Sequence, residues 1–170
     1  AKHADDLFMA NDDWFRGLSI KYGPDGGVYI TDWHDFGECH DNDGSHRTSG
    51  RIYKVIYGEI KHAPFDLHEL LDSQLVELLT HKNEWFVRHA RRILQERSLQ
   101  KSLSMGTLEQ IRNRFESGRI SEIQTLRYLW TLYGMNALSA KQLEELTHHR
   151  YDHVRKWAVK LLFDQGEPEG

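Results

Sequence analysis

Side chains able to bind metal ions, carry protons or hold anions crowd into one short stretch: His34, Asp35, Cys39, His40, Asp41, Asp43, His46 and Arg47. His34, Cys39, His40 and His46 are nitrogen and sulfur donors of the kind that Zn²⁺ and other borderline metals take, while the three Asp residues could supply oxygens to Ca²⁺. The spacing His-x4-Cys-His-x5-His matches no closed structural zinc pattern, and the adjacent Cys39-His40 pair needs a sharp turn to bring both side chains onto one ion. A solvated loop of hydrogen-bonded His and Asp residues is therefore preferred to a metal site. Asp32, Trp33, His34 and Arg47 form a second constellation, because a His beside an Asp can take a hydroxyl proton. A structural role, with Asp32 closing a turn and Arg47 bridging the loop, is preferred to catalysis.

The elements that must position these residues are two alternating strands. Val28-Tyr29-Ile30-Thr31-Asp32-Trp33 follows Pro24-Asp25-Gly26-Gly27, whose Pro at the second turn position and paired glycines suit a tight reversal. Arg51 to Tyr57 puts Ile52 and Lys54 on one face and Tyr53, Val55 and Tyr57 on the other, with Gly50 and Gly58 as stops. Arg16–Tyr22 reads as a preceding strand, completing a three-stranded antiparallel meander. The seventeen residues from Trp33 to Ser49 are too long for an ordinary hairpin loop, and such a loop inside a sheet unit is usually functional or a lid.

The order Asp13-Trp14-Phe15-Arg16, Gly23-Pro24-Asp25-Gly26-Gly27-Val28-Tyr29-Ile30-Thr31-Asp32-Trp33, a His-bearing loop, and His46-Arg47-Thr48-Ser49-Gly50-Arg51-Ile52-Tyr53-Lys54-Val55 resembles the end of the β-propeller in a family of bacterial membrane-bound dehydrogenases. Those proteins are similar to soluble quinoprotein sugar dehydrogenases in their propeller, continue into helical repeats and often end in a c-type haem domain. The resemblance implies that the first sixty or so residues are a terminal propeller blade. It further implies a parent oxidoreductase, periplasmic or membrane-associated, that uses a quinone of the PQQ type, Ca²⁺ and haem c. Cofactor and substrate sites gather at strand ends on one propeller rim, where His34 beside Asp32 could act during sugar oxidation. The base and most ligands in such enzymes are spread over several blades, so a terminal blade need contribute none.

Composition narrows the alternatives. A net charge of −4 and a pI near 6.3 argue against a general polyanion binder, so nucleic acid is not expected as a partner. The lone Cys39 excludes a disulfide framework and any four-Cys metal site, and the sequence holds no Cys-x-x-Cys-His for covalent haem. No apolar run approaches the roughly 20 residues of a membrane span, and no signal-peptide pattern opens the chain. Direct membrane insertion is not expected, and within the resemblance this points to a soluble piece of a larger protein.

Beyond Ala63-Pro64-Phe65-Asp66 the apolar period changes from two to about 3.6. Helices are expected from about Ser73 and Glu84, and three more begin with capping-box spacing at Thr107/Gln110, Ser121/Gln124 and Ser139/Gln142, with Gly106, Gly118 and Gly134 at boundaries. Trp85–Leu94 recurs as His153–Leu162, sharing Val-Arg, a small Ala one turn on and a terminal apolar pair. The spacing of about 30 to 37 residues fits three helix pairs of a HEAT-like solenoid. Trp85, Trp130 and Trp157 are expected in the inter-repeat core. The basic run Arg88, His89, Arg91, Arg92 and Arg97 reads as a solvated, salt-bridged face in preference to a phosphate track.

The expected fold is therefore α+β and mostly α, with a small antiparallel β-unit over 1–62, the remnant of a terminal propeller blade, and HEAT-like helix pairs over 63–170. Three functions follow from it. The first is the non-catalytic structural and interaction region of a quinoprotein-like dehydrogenase, whose partner is the rest of the parent chain. The second is a free-standing helical scaffold that binds another protein. The third is a metal-dependent hydrolase built on the His/Cys loop.

Overall fold

The computed structural model describes residues 4–6, 8–35, 48–59 and 65–164. Cys39, His40, Asp41, Asp43, His46 and Arg47 lie outside them. The chain divides into two compact units, Ala1–Ala63 and Pro64–Gly170. The fold is mixed α+β and mostly helical, with one three-stranded antiparallel sheet and six α-helices among the described residues.

In the first unit, β1 (Gly17–Tyr22), β2 (Val28–Asp32) and β3 (Arg51–Val55) lie side by side in chain order. The Gly23–Gly26 reversal joins β1 to β2: Gly26 N–H donates to the Gly23 carbonyl, Gly26 takes φ +79°, and Asp25 Oδ1 accepts from Gly27 N–H at 2.9 Å. β3 stops at Val55, two residues before the alternation ends, so Ile56 and Tyr57 stand exposed beyond the ladder.

Register sorts the two faces. Ile20, Ile30 and Tyr53 sit opposite one another, as do Tyr22, Val28 and Val55, so one face is apolar and ends at Asp32 opposite Arg51. The other face carries Lys21, Tyr29 and Lys54, with Lys54 Nζ on Asp25 at 2.5 Å and over the Tyr29 ring at 5.2 Å. Phe8 and Phe15 pack on Tyr53, at ring distances of 5.7 and 5.9 Å. No apolar side chain is buried among the described residues of this unit. Leu18 and Ile20 are 66% and 71% exposed, and Asp32 is the one enclosed side chain.

The second unit is built differently. α1 (Asp72–Leu78), α2 (Glu84–Leu99), α3 (Thr107–Glu116), α4 (Glu122–Gly134), α5 (Ala140–Leu146) and α6 (Asp152–Asp164) pack as α1 on α2, α3 on α4 and α5 on α6. α4 also touches both α2 and α6, and α1 touches α3. The pairings Glu84–Arg127, Arg91–Trp130 and Gln95–Gly134 advance together along α2 and α4, so those helices run parallel. Glu122–His153 and Tyr133–Asp164 do the same for α4 and α6. Leu75, Val76, Leu79, Ala90, Leu94, Ile111, Leu129, Leu132, Leu143 and Val154 fill the core between them. Each Val, Leu or Ile among them is worth about 1.5–3 kcal/mol of burial.

Ser121 and Ser139 form capping boxes with Gln124 and Gln142, each Ser Oγ accepting from the Gln N–H at 3.3 Å. Thr107 does not cap α3. Gly106, at φ +82°, takes the cap position, and Thr107 becomes the first helical residue, with its side chain buried. Gly134 is the last residue of α4 and so lies at the expected boundary; the left-handed turn falls on Asn136, at φ +54°, and Gly134 also lets Gln95 approach to within 3.1 Å of where a Cβ would be. Trp130 and Trp157 meet edge to face at 5.1 Å, but Trp85 does not join them. It stacks on His89 at 3.9 Å and against Phe65, one turn nearer the start of α2.

Buried polar groups differ in how well they are paired. Arg97 donates to Asp72 at 2.5 Å and to the Leu70 and His68 carbonyls, fixing the segment before α1 onto α2. The Tyr128 hydroxyl is enclosed and has no partner among the described residues. A buried hydroxyl without a partner costs about 1–3 kcal/mol of desolvation. Tyr128→Phe is therefore expected to leave the helical unit as stable or up to about 1 kcal/mol more stable in urea denaturation followed by far-UV circular dichroism; a loss of about 2 kcal/mol would show a hydrogen bond that the geometry lacks.

Candidate functional site

The chemistry-bearing residues that the structure describes converge where β2 ends and β3 begins. Asp32 is the last residue of β2 and faces Arg51, the first of β3, across the ladder. Its side chain is enclosed and both of its oxygens are engaged. Oδ1 accepts from the backbone N–H of Arg16 at 2.7 Å and of His34 at 2.9 Å, and Oδ2 accepts from Arg51 Nε at 2.9 Å and meets Nη2 at 2.8 Å. Three of these contacts are hydrogen bonds, and Nη2 stands at ion-pair distance without hydrogen-bond alignment.

Arg51 extends the network. Its Nη2 also reaches Asp12 at 2.7 Å, and Asp12 Oδ1 accepts from Trp14 N–H at 3.0 Å. Trp33 N–H donates to the Arg16 carbonyl and Asp35 N–H to the Trp14 carbonyl, each at 2.9 Å, so the segment before β1 is tied to the chain leaving β2. Ser49 Oγ donates to the His34 carbonyl at 3.3 Å, which joins the far stem of the loop to the near one.

His34 is held between these groups at φ +50°, a left-handed conformation that a non-Gly residue adopts at a cost of order 1 kcal/mol. The backbone contact to Asp32 and the tilted Trp14 ring at 5.4 Å hold it there. Its Nε2 lies 3.6 Å from Asp12, beyond hydrogen-bond reach, and its enclosed Nδ1 has no partner among the described residues.

The electrostatics follow from these contacts. The Trp14 N–H and then the Arg51 guanidinium hold the Asp12 carboxyl below its usual range. Burial works to raise the Asp32 carboxyl, but the Arg16 N–H, the Arg51 guanidinium and the His34 N–H outweigh it and the net shift is downward. Burial likewise opposes the charge on Arg51, and Asp12 and Asp32 overcome it. A carboxylate held ionised by two backbone N–H groups and a guanidinium is a poor general base. The arrangement is a clasp that fixes both stems of the 36–47 loop.

The structure thus brings Asp32 and His34 together, with the His34 backbone on the Asp32 carboxylate. The loop ligands Cys39, His40 and His46 and the bridging residue Arg47 fall outside the described residues. Among the described residues no group of three or more His, Cys, Asp or Glu side chains is placed to hold a metal. Arg51 and Asp12 carry the clasp, although neither stands out as a motif. For Arg51 a signal was available, since a hairpin that pairs the last residue of one strand with the first of the next sets Arg51 opposite Asp32.

Both clasp carboxyls sit below their unfolded values, so their contribution is complete above the unfolded pKa of about 3.9 and is lost as pH falls through the folded values. The β-unit is expected to loosen below about pH 4, ahead of the helical unit, seen as early loss of amide protection in β1 to β3 by hydrogen exchange. Asp32→Asn should loosen the same strands at neutral pH by about 2–4 kcal/mol, because its amide turns a donor toward Arg51 and leaves that charge short of a partner. Unchanged strand protection in this variant would dispose of the clasp.

Set against family models, curated proteins and solved structures, the chain matches none.

Proposed function

We propose that this chain is a structural and interaction module without catalysis of its own, and that it serves as the terminal region of a quinoprotein-like dehydrogenase. The observation that carries the proposal is the β-unit's apolar face: Ile20, Tyr22, Val28, Ile30, Tyr53 and Val55 share one side of a sheet that buries no apolar side chain of its own. Such a sheet is one layer of something larger, as a propeller blade is, because blades gain their burial from the blades beside them. Leu18, Ile20 and Tyr22 are exposed along the edge strand β1, which is where that burial would come from. The loop-to-strand phrases of residues 13–33 and 46–55 support the same family.

The helical unit supports the second half of the proposal. Three helix pairs whose second members α2, α4 and α6 lie parallel and adjacent are what a HEAT-like array requires, each pair contacting its neighbour. In this proposal a PQQ-type quinone, Ca²⁺ and haem c belong to other parts of a periplasmic or membrane-associated parent. Backbone N–H groups and the Arg51 guanidinium already engage both Asp32 oxygens, and the sequence has no Cys-x-x-Cys-His. No helix among the described residues is long and apolar enough to cross a membrane.

Two results are expected. The purified chain, given pyrroloquinoline quinone and Ca²⁺, shows no dye-linked oxidation of sugars or alcohols above background; turnover would overturn the proposal. Ile20→Ser, at an exposed edge, changes stability by no more than about 0.5 kcal/mol yet lowers binding of a hydrophobic dye such as anilinonaphthalene sulfonate. Dye binding that Ile20→Ser leaves untouched would mean that this face does not present the chain's exposed apolar surface.

A further inference from the structure

The parallel helices α2, α4 and α6 open alike: the first residue of each is acidic, Glu84, Glu122 and Asp152. Glu84 pairs with Arg127 of α4. Glu122 accepts from the backbone N–H of His153 of α6 at 3.1 Å and stands 3.0 Å from its Nδ1. On the same side of α2, Arg91 and Gln95, its eighth and twelfth residues, meet Trp130 and Gly134. Trp130 and Tyr133, ninth and twelfth in α4, meet Trp157 and Asp164. Both helices thus seat the next one on a stripe of the same spacing, headed by an acid that takes a base from the first turns of its neighbour.

α6 carries the stripe again. Asp152, Val159 and Phe163 are its first, eighth and twelfth residues, the spacing of Glu84, Arg91 and Gln95 on α2. Val159 and Phe163 are 44% and 81% exposed, whereas Gln95 and Tyr133, the twelfth residues of α2 and α4, are partly covered by the helix that follows. The outermost helix of a stacked array ordinarily shows a polar outer face, so a Val and a Phe on this one mark a surface that burial would stabilise. Residues Gln165 to Gly170 hold no aromatic or branched aliphatic side chain to cover them. Asp152 is held by Arg155 of its own helix, an exposed pair three residues apart of the kind that contributes little and can be shared with a base from outside.

We propose that this stripe is the docking surface for a helix of a partner protein that lies parallel to α6, with a basic residue of its first turn on Asp152 and apolar side chains over Val159 and Phe163. The two seams inside the unit set the direction and the chemistry, because α4 meets α2 and α6 meets α4 in that way. One helix suffices to form the seam: α4 packs on α6, whereas α3 and α5 share no comparable contact. A second copy of the chain fits less well. A two-fold axis along the helices would set Asp152 against Asp152, and one across them would set it against the carbonyl end of the other α6. The inference names the partner taken by the helical unit read above as an interaction module, and it rests on that reading.

The probe is a blocked, lactam-bridged, fluorescently labelled helical peptide with Arg at its second position, Leu at its sixth, ninth and thirteenth, and Ala and Gln elsewhere. Titration with the full 170-residue chain is expected to give saturable binding by fluorescence anisotropy. A peptide with Ala for the three Leu should bind at least about tenfold more weakly, and one with Glu for Arg about threefold. Phe163→Ser should weaken binding about tenfold and Val159→Ser about threefold, with circular dichroism unchanged because both side chains are exposed. Met105→Ser, at an apolar side chain fully exposed on another segment, should leave binding as it is. Asp152→Asn should erase the preference for the Arg peptide over the Glu peptide. Absence of binding, unchanged binding by Phe163→Ser, or a Glu peptide as tight as the Arg peptide would overturn the docking surface. So would a chain that is dimeric in sedimentation equilibrium and monomeric once Phe163→Ser is introduced, which would give the stripe to a second copy. Those outcomes leave the module reading standing, which is overturned separately by oxidoreductase turnover of the isolated chain.

Discussion

An ionised carboxylate enclosed at the end of a small sheet survives only if donors surround it, and Asp32 meets that demand with Arg16, His34 and Arg51. The rest of the β-unit depends on this. Arg16 belongs to the segment entering β1, His34 to the loop leaving β2, and Arg51 to the start of β3, so one side chain fixes three chain segments whose sheet contributes no apolar core. Remove the carboxylate and the guanidinium of Arg51 keeps only Asp12; remove the guanidinium and two acids share the space. The clasp is cooperative for that reason.

The helical unit reaches order by the opposite route. Its apolar side chains are enclosed in number, and its ion pairs sit at seams where they orient helices already held by packing. Arg127 illustrates the division: it is buried between α4 and the α1–α2 corner, donating to the Leu79 and His81 carbonyls and pairing with Glu84. That placement sets the parallel register of α2 and α4, in which Arg91 lands over Trp130.

Much of this was legible in the residues. Alternation over 17–22, 28–32 and 51–55, Pro24-Asp25-Gly26 at the turn, and Ser-x-x-Gln at two helix starts specify local structure through interactions spanning at most a few residues, which is why strands, turn and helices fall close to where the pattern puts them. Thr107 misled because Gly106 can adopt the left-handed cap that a side chain would otherwise supply. Trp85 sits at the start of its helix, where Phe65 and His89 capture it away from the Trp130–Trp157 pair, a choice that only packing could make. What the tertiary structure alone decided were the long-range pairings: Asp32 with Arg51 and Asp12, Arg127 with Glu84, Arg91 with Trp130. Each joins residues that no local period connects, so only the folded chain could bring them together.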